Sequence, residues 1–392
     1  MNGAGSRDGR FSDRPRFWWA FFFVMLSVHA YLYAAEVRKM PSELSSPWLL
    51  AGASALLASA SAPLLGPPKN NTGRISLQSA LQRSGALWNF FVLFSAAYMT
   101  IIRVISVIHE IPARAVFPAS LFASLLTCLY GLFEARNVRS VFLSLKTRKL
   151  KRKERLRVVQ ISDLHIGPFM NVGHIARVVR AALMASPDLV VVTGDTVDGE
   201  VGGESETLPF YRPFSKTLLA ISESGPGLGV WAISGNHDYY ENFAASLRFI
   251  ESAGFRLLRG EKVDLGEIVL IGADDMDHET RSDANGEMTR SEELIDSLSP
   301  DERNKFVLLL RHRPIIEESS LGKFDLQLSG HTHGGQLVPL PSSRHRIPGR
   351  SRGLLALPRG SNIYVSNGAG FVGPPLRFFA PAEIVVIDLA GE

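Results

Sequence analysis

The chain has 392 residues, room for two or three units at roughly 100–200 residues per domain, and its formal charge of +4 conceals a split. Residues 1–156 carry 20 Lys and Arg against 7 Asp and Glu, whereas the remainder carries 22 against 31. The basic first part suits a membrane surface, the acidic second part suits a cation-binding domain and disfavours nucleic acid, and the lone Cys128 excludes an intrachain disulfide and paired-cysteine zinc chemistry.

Four segments are apolar over about the 20 residues that a helix needs to cross a bilayer: residues 17–35, 48–66, 86–102 and 115–133. Trp18, Trp19, Trp48 and Trp88 fall near segment ends, where an aromatic belt would sit. Arginines precede the first segment, and ten Lys and Arg fall at positions 136–157 with both ends included. By the positive-inside rule this predicts a multi-pass protein of an inner or plasma membrane, with its N-terminus and everything after 133 in the cytoplasm. The spans hold few ionisable residues, so they read as an anchor rather than a transport path. Residues 135–156, ARNVRSVFLSLKTRKLKRKERL, mix apolar positions with a cationic run. They read as a basic amphipathic juxtamembrane linker, either an interfacial helix on anionic headgroups or a topology-setting flank.

From Arg157 the texture changes to short β-rich runs alternating with helical stretches: RVVQIS, a helix near 172–185, LVVVTG, a helix near 210–222, VWAISG, a helix near 243–253. EIVLIGAD, FVLLL, DLQLSG, NIYVSNG and EIVVIDL follow. This pattern predicts an α/β domain with a second sheet built from the later strands. Ligand-type residues recur just past the strand ends, where open α/β sheets place their ligands. They are Asp163 and His165, then Asp195, then Asn236 and His237, then His312, then His331 and His333. Each alone is an ordinary turn or cap; five strand ends carrying them together point to metal. Carboxylate and amide oxygens mixed with imidazoles suit Mn²⁺, Fe²⁺ or Zn²⁺ better than Ca²⁺. The number of donors suits two ions sharing a carboxylate, which could acidify a bridging water to a hydroxide nucleophile for phosphoryl transfer.

SDLH at 162–165, GDTVDG at 194–199, GNHDYY at 235–240, GADD at 272–275, LSGHTHGGQ at 328–336 and GPPLRFFAPAEIVVIDL at 373–389 resemble the calcineurin-like metallophosphoesterase superfamily. The likeness covers about 230 residues, from 157 to 389, and is strongest to its membrane-anchored, bacterial-type phosphodiesterase branch. It implies a four-layer α-β-β-α sandwich of two mixed sheets over residues 157–392, preceded by the four-span region at 1–134 and the linker at 135–156. It also implies one metal held by Asp163, His165, Asp195 and His333, and another by Asp195, Asn236, His312 and His331. His237 would protonate the leaving oxygen, oriented by Asp198. Arg377 is the first candidate to bind substrate phosphate. Arg311, which stands where the branch usually has Ser, is the second, although strand alternation turns it away from a metal-facing His312.

The expected activity is hydrolysis of phosphodiester or pyrophosphate bonds, on lipid-linked or membrane-proximal substrates such as UDP-2,3-diacylglucosamine. Two alternatives are a tethered enzyme acting on soluble cyclic nucleotides or phosphoproteins, and a metal-loaded, non-catalytic scaffold or sensor. The intact His237 and Asp198 weigh against the scaffold.

Overall fold

The computed structural model describes residues 77–151, 154–167, 169–198, 208–240, 243–274, 291–336 and 352–391, and four isolated positions nearer the start. Apart from those four positions, the first expected span lies outside the described residues, as does the whole of the second. The chain divides into two compact units, with the boundary between Phe133 and Glu134.

In the first unit, α1 (Leu77–Ser106) and α2 (Ala113–Arg136) fall on the third and fourth expected spans. Stretches of 24 residues in each, Arg83–Ser106 and Ala113–Arg136, are long and apolar enough to cross a membrane. Their polarity is inverted relative to a water-soluble helix pair. Ile101, Val104, Phe122, Leu125 and Leu129 are exposed, while the polar groups face one another. Ser95 Oγ donates to Ser124 Oγ at 3.0 Å, and the Tyr98 and Thr127 hydroxyls bond at 2.8 Å. Small hydroxyl residues between helices are what holds apolar helices together in lipid.

Among the described residues the second unit forms two mixed six-stranded sheets. Along the first sheet the strands run β1 (Arg139–Thr147), β12 (Glu383–Gly391), β2 (Arg155–Ile161), β3 (Leu189–Thr193), β4 (Val230–Ile233) and β5 (Arg256–Leu257). Along the second they run β10 (Gly353–Ala356), β11 (Asn362–Val365), β9 (Leu326–Ser329), β8 (Phe306–Arg311), β7 (Ile268–Ala273) and β6 (Glu261–Asp264). Strand alternation assigns the layers. Val158, Val191, Ile233 and Ile387 of the first sheet meet Leu270, Leu308 and Leu328 of the second in a shared core. On the far side of the first sheet, Val159, Val190, Ala232 and Val386 pack on α3 (Val172–Met184), α4 (Leu208–Glu223) and the helix at Phe243–Ser252. Val269, Ile271, Val307 and Leu309 of the second sheet cover the helix at Ser291–Asp296. Four layers result, α-β-β-α, with β3, β4 and β8 buried along almost their whole length.

One expectation is corrected. Within residues 135–156, the stretch read as a candidate interfacial helix forms β1, which pairs in parallel with β12 from Arg139↔Glu383 to Thr147↔Gly391. The reason is a period of two: Val141, Leu143 and Leu145 pack on the core between the sheets, and Ser140, Phe142 and Ser144 face outward. A helix would scatter those three apolar side chains around its circumference.

Candidate metal centre

The candidate donors sit on the loops that leave β2, β3, β4, β8 and β9, where both sheets bring their carboxyl ends to one edge of the sandwich. Three overlapping groups of donor atoms lie there within 4.8 Å of one another: Asp163, His165 and His333; His165, Asp195 and His237; and Asp195, His312 and His331. Asp163 and Asp195 are buried, with 0% and 1% exposure. His333 Nε2 is 2.9 Å from His165 Nε2 and 3.4 Å from Asp163 Oδ1. Asp195 Oδ2 is 3.6 Å from His165 Nε2 and 3.1 Å from His312 Nε2, so it stands between two sets of donors.

Local backbone geometry sets these side chains. Asp163, His165, Asp195, His331 and His333 all have positive φ, between 46° and 69°. For non-glycine residues this region is sparsely populated and costs about 1–3 kcal/mol each, which a fold retains only where surrounding contacts enforce it. Strain of this kind concentrates at functional sites. The enforcing contacts are visible: Asp163 N donates to Gly194 O at 3.1 Å and His165 N to Asp195 O at 3.0 Å, lacing the β2 loop to the β3 loop. His331 N donates to Asp163 Oδ1 at 2.9 Å, and His237 N to Asp195 Oδ1 at 2.8 Å. A Cβ on Gly330 would overlap the side chains of Ser162 and Asp163, so this turn needs glycine to let the β9 loop approach the β2 loop.

Electrostatics follow from burial and neighbours. Burial raises the Asp163 carboxyl above its ordinary value, with the Asp195 charge adding to it. Asp195 resists the same burial because His312 and His237 hold it well below the carboxylate range. For His333, burial, then His165, then the Arg377 guanidinium keep the imidazole neutral, with one ring nitrogen lone pair free. His237 is the opposite case: burial would depress it, but Asp195 and Asp198 outweigh that and raise it to about 9. Its Nδ1 lies 3.1 Å from Asp198 Oδ1, while Asp198 Oδ2 is 3.6 Å from His165 Nδ1. His312 is oriented from behind by the Thr193 carbonyl, 2.8 Å from its Nδ1, which turns Nε2 toward Asp195.

The donor set fits divalent cations. Two buried carboxylates close to each other need positive charge nearby, and the imidazoles around them suit transition metals. Asn236, buried in the first turn of the short helix at Asn236–Tyr240, belongs to the same loop as His237.

Two arginines considered for a substrate phosphate have other partners among the described residues. Arg377 is fully buried, and its guanidinium donates to the carbonyls of Asn367, Gly370 and Ala380 at 2.6–3.0 Å while lying 3.3 Å from His333 Nδ1. It is engaged by these carbonyls and lies beside the His333 ring. Arg311 pairs with Glu317 at 3.4 Å and reaches the Ile315 carbonyl, so it is engaged away from the donors. Sequence reasoning also gave no role to Asp238. Its carboxylate accepts from Val197 N at 2.9 Å and Gly235 N at 2.8 Å, tying the β3 loop to the β4 loop. The signal was present in its position directly after His237 in GNHD.

The Calcineurin-like phosphoesterase family model matches residues 156–335. An uncharacterized metallophosphoesterase of Aquifex aeolicus is 34% identical over 274 residues, covering 69% of this chain and 99% of that protein. Another from Campylobacter jejuni is 31% identical over 242 residues, 61% of this chain and 60% of its own length. A Bos taurus protein described as a transmembrane protein with metallophosphoesterase domain is 28% identical over 253 residues, 60% of this chain and 53% of that protein. The chain thus spans nearly all of the first relative and little more than half of the other two.

Proposed function

The chain belongs to the calcineurin-like phosphoesterase family, a metal-dependent phosphoric ester hydrolase by that membership, and on this premise we propose that it cleaves phosphodiester or pyrophosphate bonds of lipid-linked substrates at a membrane surface. The observation that carries the reading is Asp195, a buried carboxylate shared by two donor groups drawn from the strand ends of both sheets. In the proposed site Asp163, His165, Asp195 and His333 hold one divalent ion, and Asp195, Asn236, His312 and His331 hold a second. Bound there, the ions would supply Lewis acidity toward the phosphoryl oxygens and an acidified water. His237 carries the proton that the leaving oxygen takes, and Asp198 keeps its ring turned and charged.

The substrate class rests on the chain's own apolar helices. Tethering a hydrolase to a bilayer raises its effective concentration toward anything anchored in the same lipid. The proposed arrangement is a multi-pass protein, membrane region before residue 134, with the hydrolase on the cytoplasmic side. Full-length protein loaded in turn with Mn²⁺, Fe²⁺ and Zn²⁺ should hydrolyse a UDP-linked diacyl sugar faster than cyclic nucleotides or a phosphoprotein. Preference for the soluble substrates would overturn the lipid reading, and no turnover with any ion would favour a scaffold.

A further inference from the structure

Away from the metal centre, a groove of about 600 Å³ lies between the outer face of β1 and helix α3. That volume is within the ~300–1,000 Å³ of ligand pockets. Among the described residues four arginines line it, Arg136, Arg157, Arg177 and Arg180, and no carboxylate does. Arg157 is committed elsewhere, to Asp388 and the Ala185 carbonyl. Arg177 uses Nε on the Arg136 carbonyl at 3.1 Å and Nη2 on His174 Nδ1 at 3.2 Å. Arg136 and Arg180 have no ion pair among the described residues. Burial, and then the charge of Arg136, pull Arg177 below its ordinary value.

Phe142 on β1 and Met184 at the end of α3, both in the lining, are exposed at 64% and 78%. Large apolar side chains left in water beside uncompensated arginines fit a ligand with a phosphate at one end and hydrocarbon at the other. Continuity names its source. Arg136 is the last residue of α2, a helix apolar enough to cross a bilayer, so the groove begins where that helix would leave hydrocarbon for headgroups.

We infer that the groove between β1 and α3 binds the headgroup of one anionic phospholipid, its phosphate on Arg136, Arg177 and Arg180 and its glycerol and first methylenes against Phe142 and Met184. The inference rests on the membrane attachment proposed above, not on the substrate. The site is separate from the metal centre, and a lipid held there orients the hydrolase on the bilayer without being cleaved.

The test uses the full chain in uncharged detergent, with bound phosphatidylglycerol counted by native mass spectrometry. Wild-type protein should retain one such lipid and discriminate against phosphatidylcholine. Arg180→Gln, which removes no described hydrogen bond, should weaken retention about fivefold, and adding Arg177→Gln about fivefold again, as expected for each cation near an anionic headgroup. Phe142→Ser with Met184→Ser should weaken the lipid while leaving any effect of inorganic phosphate unchanged. Retention unaltered in the double arginine variant would overturn the proposal. So would displacement of the lipid by inorganic phosphate at equal concentration, which would make this a site for free anions. Hydrolysis of bis(p-nitrophenyl) phosphate, measured alongside, should be equal in all variants. It reports intact folding and separates failure of this inference from failure of the substrate reading.

Discussion

His237 Nδ1 and Asp198 Oδ1 lie 3.1 Å apart, and Asp195 together with Asp198 holds in its charged form an imidazole that burial would otherwise neutralise. In the proposed reaction the pair would act as a unit, His237 as proton carrier and Asp198 as its orienter. Replacing His237 by Asn should leave metal content unchanged and lower kcat by about 10²–10⁴. Asp198→Asn should cost about 10–100-fold, because the ring remains but loses its tether. Metal analysis and steady-state kinetics on both variants decide the matter; wild-type turnover in His237→Asn would remove it from the reaction.

Gly330 leaves no space for a Cβ beside Ser162 and Asp163. Alanine there should push Asp163 out of place, lower bound metal and reduce turnover by about a hundredfold, the scale of a misplacement near 1 Å. Gly227→Ala, where a Cβ would meet nothing within 4 Å, serves as the comparison and should behave as wild type.

His331 adopts φ 69°. Removing its imidazole tests ligation, and the choice of replacement tests strain. His331→Gly and His331→Ala should lose metal equally, yet the glycine variant should be more stable by about 1 kcal/mol, or about 2–4 °C in Tm of the metal-free forms. Equal Tm values would mean that the turn is not strained.

Metal itself should stabilise the fold, since it offsets the repulsion between buried Asp163 and Asp195. Chelation should lower Tm and Mn²⁺ should restore it, by about 2.7 kcal/mol at a hundred times its Kd. Asp195→Asn should blunt that response more than Asp163→Asn, because Asp195 faces both donor groups.

His174 is buried in the first turn of α3, donating to the Ala369 carbonyl at 2.7 Å, and burial, with Arg177, Arg377 and Arg136 opposing a further charge, lowers it to about 4. An unfolded histidine titrates near 6.5. Between those values the unfolded chain binds a proton that the folded one refuses. Its contribution to stability is thus complete above pH 6.5 and is lost as pH falls toward 4, at about 1.4 kcal/mol per pH unit. His174→Gln should flatten the Tm-against-pH curve in that window by one proton; an unchanged slope would refute it.

The strands β3, β4 and β8 were legible in the sequence because they are covered on both faces, and continuous runs such as LVVVT and FVLLL admit little else. The candidate donors were legible for a related reason: each set follows closely on such a run, and glycine adjoins Asp195, Asn236, His331 and His333. Strand β1 was not, because only its inner face is covered, and its three inward residues were masked by Phe142 and the cations that follow. The partners of Arg377 were not legible for a subtler reason. In sequence, an arginine near a metal motif looks like a phosphate ligand. The demand for donors came from carbonyls at Asn367, Gly370 and Ala380, which only the folded loop turns inward.

Because β1 pairs with β12 along nine residues, the segment just after α2 is the outer wall of the first sheet. A hydrolase fragment cut at Arg157, where the sequence first looks like a sheet protein, would lack both β1 and the opening residues of β2. It would present the buried strand β12 as a bare, strongly apolar edge, ready to pair with another copy. A fragment meant to remain soluble should begin ahead of Arg139 and carry its own edge strand with it.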